Sequence, residues 1–290
     1  MYTLYSMTHR KSIFSLFVAL LATLFVGCAD DVEKLAKTYL DRAEQSLAHE
    51  QYNLAKLQLD SIKELYPTAF EARAKAQTLL LNIDLIESQR ALHYLDSLLT
   101  LSQSMAQPLI PQFYLDKDPA YQEIGHYYAS RYRTEKNVGR TYLRPQTDEK
   151  GNFALVVFYR GKALNPHTLR FTASDGTYTE VVAPQSHTWN DASGRAERLD
   201  FSPNAESSVA SFIEMNGDKT IKVELIGDKG KSAISFAKAD KQSLVEVANL
   251  AMHLRNITDL EGKLKDTHRR IDFVQDRIQA DSIRRSAQVQ

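Results

Sequence analysis

The 290-residue chain carries 36 basic and 36 acidic side chains, and 43% of its residues are hydrophobic. That balance excludes a nucleic-acid binder held by net charge, and the apolar content excludes a disordered chain. A single cysteine, Cys28, excludes an internal disulfide, so packing alone must hold the fold.

Near the start, His9, Arg10 and Lys11 precede an uncharged apolar run, Ile13 to Val26, which ends at Gly27-Cys28. The run is shorter than the about 20 residues that span a bilayer and suits a signal-peptide core. Leu24-Phe25-Val26-Gly27-Cys28 resembles the bacterial lipobox, in which a small residue precedes a cysteine whose thiol takes a diacylglyceryl group. Phe25 departs from the pattern, with Leu24 next to the place where leucine is usual. The resemblance implies a signal peptide over 1–27, lipidation of Cys28 and attachment to a membrane of the cell envelope. Ala29 after the cysteine fits an outer-membrane address. Asp30-Asp31 resembles the acidic export tags of Bacteroidetes lipoproteins, and first-turn helix charges are the alternative.

Residues 28–137 are expected to form a helical arm. Val32, Leu35, Tyr39, Ala43 and Leu47 recur at helical spacing, and a second helix runs from Tyr52 to Leu65 before Tyr66-Pro67. Tyr39, Ala43, Tyr52, Ala55, Leu59 and Pro67 give the pair a resemblance to one tetratricopeptide-type unit. With no second copy at the right period, a plain antiparallel hairpin is favoured. Thr68 to Ser104 reads as one long helix, with Leu81, Leu85, Ser88, Leu92, Leu95, Leu99 and Ser102 forming a heptad stripe. After Asp118-Pro119 a shorter helix is expected to carry Ile124, Tyr127, Tyr128 and Tyr132. Those tyrosines, with Tyr114, Tyr142, Arg131 and Arg133, are read as packing against the next domain, the alternative being stacking on a sugar or peptide.

The period changes at Val138, and residues 138–238 read as an antiparallel β-sandwich of seven or eight short strands. Phe153 to Tyr159 is the central strand. Ser174-Asp175-Gly176 and Asn216-Gly217-Asp218 are hairpin turns, with Ser208 to Met215 taken as a strand. A polar loop from Gln185 to Arg195 holds the only tryptophan, Trp189, with His187 and Arg195. These three are the candidate ligand-binding residues, for carbohydrate, if Trp189 does not simply plug one end of the sandwich. His167, His187 and Asp175 lack metal-ligand spacing, and no nucleophile elbow is present, so neither an enzyme nor a cofactor is expected.

From Asp240 the chain reads as one long helix within a C-terminal region, 239–290. Ile257, Leu260, Leu264, Thr267, Ile271, Val274 and Ile278 step by three and four, a coiled-coil seam flanked by charge. Antiparallel pairing with the Thr68–Ser104 helix is expected, pairing between chains being the alternative. Asp60-Ser61-Ile62, Asp96-Ser97-Leu98 and Asp281-Ser282-Ile283 resemble the Bacteroidetes O-glycosylation acceptor at Ser61, Ser97 and Ser282, or are solvated helix faces. The expected fold class is α+β, helical arms flanking an inserted antiparallel β-domain. The layout resembles that of exported Bacteroidetes lipoproteins. That resemblance brings no activity with it; the anchor, the helix seam and the absence of site chemistry point instead to a membrane-anchored, non-enzymatic scaffold that meets a protein partner or itself through its helices. The alternative is a glycan- or peptide-binding lipoprotein. Cys28→Ala is expected to move the chain from the membrane to the soluble fraction in a flotation gradient. A variant that still floats with membranes overturns the lipobox reading.

Overall fold

The computed structural model describes residues 31–183, 186–192, 194–201 and 206–288. The expected signal segment and Cys28 lie outside them. The fold is α+β, with five helices and two antiparallel sheets among the described residues. We label the helices α1 (31–48), α2 (Tyr52–Leu65), α3 (Phe70–Ala106), α4 (Glu206–Met215) and α5 (Lys238–Gln288). Among the described residues no helix is long and apolar enough to cross a membrane. The chain divides into two compact units, one of residues up to His93 with those from Lys265 on, the other of Tyr94–Leu264.

The first unit is a small-residue helix packing. Ala36, Leu40 and Ala43 of α1 meet Ala55, Leu59 and Ile62 of α2 and Ala72, Ala76 and Ile83 of α3 in one apolar cluster. Alanines on facing ridges allow close approach of the helices. The Glu33 carboxylate accepts the Ala72 N–H at 2.5 Å, so α1 caps the positive N-terminal turn of α3. Ser46 donates to Gln58 at 2.9 Å, and Lys56 pairs with Glu87 at 2.9 Å. In this unit α3 and α5 run antiparallel. Arg270 forks onto both Asp84 oxygens at 2.8 Å, and Arg285 donates to the Ala74 carbonyl and the Thr78 hydroxyl. Between Lys265 and Ile278 only Thr267, Ile271, Val274 and Ile278 are not exposed, which are the expected seam positions.

Among the described residues the second unit holds ten strands: β1 (Tyr114–Asp116), β2 (His126–Tyr128), β3 (Tyr142–Asp148), β4 (Phe153–Arg160), β5 (Pro166–Ala173), β6 (Tyr178–Val182), β7 (Ser186–Asp191), β8 (Gly194–Phe201), β9 (Ile221–Gly227) and β10 (Gly230–Ile234). One sheet has the order β1-β2-β3-β4-β8-β7, the other β10-β9-β5-β6. Both feed one apolar core, which gathers Phe153, Leu155 and Val157 of β4 with Leu169 and Phe171 of β5, and adds Val209, Phe212 and Ile213 of α4 and Leu244 and Val247 of α5.

Three expectations are corrected here. In place of the shorter helix after Pro119 stands strand β2, paired with the preceding β1 and followed by two single-turn 3-10 segments, Ser130–Tyr132 and Thr134–Lys136. A Cβ on Gly125 would meet Leu115 and Lys117 side chains at 2.7 Å, and its N–H donates to Glu149 at 2.7 Å; the tyrosine spacing merely coincided with a helical period. Ser208–Met215 is part of helix α4, not a strand. Val209, Phe212 and Ile213, at i, i+3 and i+4, are its buried residues, as a helix requires. The polar loop around Trp189 is a β-hairpin, β7 paired with β8.

The β3–β4 turn docks on α5 within this unit. Arg255 donates to the Gly151 carbonyl at 2.9 Å and Thr258 to that of Lys150 at 3.3 Å. Gly151 and Gly176 both have left-handed φ, 81° and 88°, but a Cβ on Gly151 would meet the Arg255 backbone nitrogen at 2.2 Å, whereas one on Gly176 meets nothing. Gly176→Ala is therefore expected to cost only the left-handed penalty, about 1–2 kcal/mol. Gly151→Ala should cost clearly more in a urea melt, and equal midpoints would refute the docking argument.

Candidate functional site

Side chains alternate across a strand, and the registers of the six-stranded sheet fix which residues share a face. In β3 and β4, Leu143 pairs with Val157 and Pro145 with Leu155, while Tyr142 pairs with Phe158 and Arg144 with Val156. Val157 and Leu155 belong to the core. Tyr142, Arg144, Val156 and Phe158 therefore lie on the opposite face. Pairing of β4 with β8 places Arg198 and Asp200 there, and β7 adds His187 and Trp189 opposite Arg198 and Ala196. Through β2 and β1 the face continues to Tyr128 and Tyr114.

A row of rings and guanidinium groups crosses this face. Arg133 lies 4.4 Å from the centroid of Tyr114, whose ring is 5.6 Å from that of Tyr128. Arg144 stands between Tyr128 at 4.4 Å and Phe158 at 5.0 Å. Phe158 is stacked on Tyr142 at 4.8 Å and 14°, with Arg198 at 5.7 Å. Each arginine–ring contact pairs a cation with the negative face of a ring, worth about 0.5–2 kcal/mol depending on desolvation.

The arginines differ in what neutralises them. Arg160 forks onto both oxygens of Asp191 at 2.6 Å, and the Trp189 indole N–H donates to the same carboxylate at 3.2 Å. Arg198 pairs with Asp200 at 2.8 Å. Arg144 is 6% exposed, and its Nε is buried with no hydrogen-bond partner. Two residues along β3 on the same face, buried Gln146 has an unsatisfied Oε1. Burial pulls the Arg144 guanidinium below its usual range, yet an arginine stays charged at any ordinary pH. Asp116 is close but accepts from the Tyr128 hydroxyl at 2.7 Å instead. Burial, then that hydrogen bond, raises Tyr128. Burial raises Tyr142 as well. Tyr132 is raised in the same way, by burial and by donation to Asp240 at 2.6 Å.

The sequence-derived trio is divided by the pleat. His187 and Trp189 share the arginine–aromatic face, Trp189 38% exposed. Arg195 faces the other side, its Nε donating to the buried Glu197 at 3.0 Å and its Nη2 to Thr188 at 3.5 Å. Arg144, Arg198 and Phe158 escaped sequence reasoning because strand neighbours on one face are distant in the chain. The i, i+2 alternation of Tyr142, Arg144 and Gln146 was the available signal. Of the modification candidates, Ser61 on α2 already donates to the Leu57 carbonyl at 2.8 Å, while Ser97 on α3 and Ser282 on α5 are exposed. A separate groove of about 620 Å³ is lined by Ala210 and Ser211 of α4 and Val245, Ala248 and Met252 of α5. Among the described residues no three His, Cys, Asp or Glu side chains gather into a metal-holding group.

Tyr128 and Tyr132 set an alkaline limit. Both stay protonated in the fold above the unfolded value of about 10, so between the two values the folded state binds more protons and stability falls as pH rises. Tyr128→Phe and Tyr132→Phe are each expected to flatten the loss of stability above about pH 10 in denaturant melts; an unchanged slope would overturn the assignment. Known protein families, curated proteins and solved structures give no match to this chain.

Proposed function

We propose that the chain is a non-enzymatic interaction protein of the cell envelope, anchored through lipidated Cys28 and delivered to the outer membrane. Its long helices act as coiled-coil arms, and the β-domain, organised as a sandwich, presents a binding surface. One observation supports this above the others. Helix α5 has 51 residues, about 75 Å at 1.5 Å per residue, yet from Lys265 to Ile278 it withdraws only a narrow apolar stripe from solvent. A helix of that length with a thin seam and a broad charged face suits an arm or scaffold better than a core element.

A second reading, glycan or peptide capture, draws support from the half-exposed Trp189 beside His187 on a sheet face. Crosslinking in intact cells followed by mass spectrometry tests the first reading against the second. A recurrent protein partner, crosslinked through α5 or the β-domain, is the expected outcome. Recovery of polysaccharide instead would favour capture, and recovery of the chain alone would make it a self-associating structural element.

A further inference from the structure

Arg144 is a cation set in place without a hydrogen-bonded anion: the nearby Asp116 carboxylate is engaged by the Tyr128 hydroxyl. Two other arginines of the face each hold a carboxylate of their own, Arg160 with Asp191 and Arg198 with Asp200. Among the described residues Arg144 has no hydrogen bond and no ion pair, only the flanking rings of Tyr128 and Phe158. Folded proteins rarely leave buried polar groups unmade, and a buried charge without a partner is costly. The rings hold the guanidinium plane fixed, so its remaining donors are presented in a set direction. Such a planar fork matches a carboxylate.

We propose that Arg144 is the central anchor of a protein-binding site, and that it receives an Asp or Glu side chain from an acidic segment of a partner protein. The residue is nearly buried, so the anion must arrive on a slim, flexible stem. An acidic side chain meets that need, whereas a carboxylate fixed on a sugar ring brings the ring with it. Around the anchor, Tyr142, Phe158 and Arg198 supply the mixture of aromatic and arginine side chains that carries binding energy at protein interfaces. Local charge complementarity selects the acidic partner: a segment bearing one carboxylate at this point supplies the hydrogen-bonded counter-ion that Arg144, unlike Arg160 and Arg198, lacks among the described residues. The proposal rests on the protein-interaction reading and names the partner's chemistry.

The test is titration calorimetry of the full chain in detergent with a Glu-Ser repeat peptide, its Gln-Ser counterpart and an oligogalacturonate. Binding of the Glu-Ser peptide alone is expected, weakened roughly 10- to 100-fold in Arg144→Met, as loss of a charge-assisted hydrogen-bond pair implies. Arg144→Met should melt at the native temperature or above it, because a buried unpaired charge has gone. Should that variant fold poorly, Arg144→Lys keeps the charge, loses the fork and is expected to weaken binding while remaining folded. Unchanged peptide affinity in Arg144→Met would make the arginine a purely structural pillar and overturn the proposal. So would capture of oligogalacturonate in preference to the peptide, or no binding of any probe. Crosslinking of the same partner by native chain and Arg144→Met alike would sink this site while leaving the interaction reading intact.

Discussion

Strand β4 has to satisfy two environments at once, and the second unit is arranged around that demand. One side of Phe153–Arg160 supplies Phe153, Leu155 and Val157 to the core shared by both sheets and by α4 and α5. The other side carries Val156, wholly buried, and Phe158, stacked beneath tyrosine and arginine. A strand apolar on both faces must be covered on both. The core covers one face, and on the other the row of rings and guanidinium groups lies over the strand. The arginine–aromatic row is thus a structural cover and, through Arg144, an unsatisfied one.

Much of the architecture was legible in the sequence because it rests on period and punctuation. The seam of α5 from Thr267 to Ile278 could be read directly, since a long solvated helix has only one way to hide its few apolar side chains. The hairpin turn at Asp175-Gly176 was equally plain, as was the helix boundary at Tyr66-Pro67, whereas Asn216-Gly217-Asp218 follows helix α4 and closes no hairpin. Failures fell where two periods gave similar patterns over a few residues. Ser208–Met215 has apolar side chains that fit either alternation or i, i+3, i+4, and burial of Phe212 beside Ile213 decides for the helix. Strand β7 was illegible for another reason: all six of its residues are exposed, so no apolar alternation marked it.

The site was legible only in part. Trp189 and His187 attracted notice by rarity and setting, and they do share a face. Arg195 joined them by proximity in sequence, yet the pleat sends it to Glu197 on the opposite side. The arginine that stands out physically, Arg144, lies 45 residues from Trp189 by their numbers, in a strand whose sequence looks like an ordinary exposed one. Cross-strand neighbours are set by register, and register is the information that a local reading of residues lacks.

Strand β7 is the outermost described strand of its sheet, and it contains neither proline nor lysine, two of the residues that commonly discourage a further strand from adding. It is short, and it is polar on both faces. Backbone groups along such an edge offer a template, but with no buried face to fix alignment a visiting strand could slide by two residues at little penalty. The edge is therefore adhesive without being selective. Crowding of many copies at a surface would bring such edges together, and solubility at high density would depend on how well the charges of neighbouring copies keep them apart.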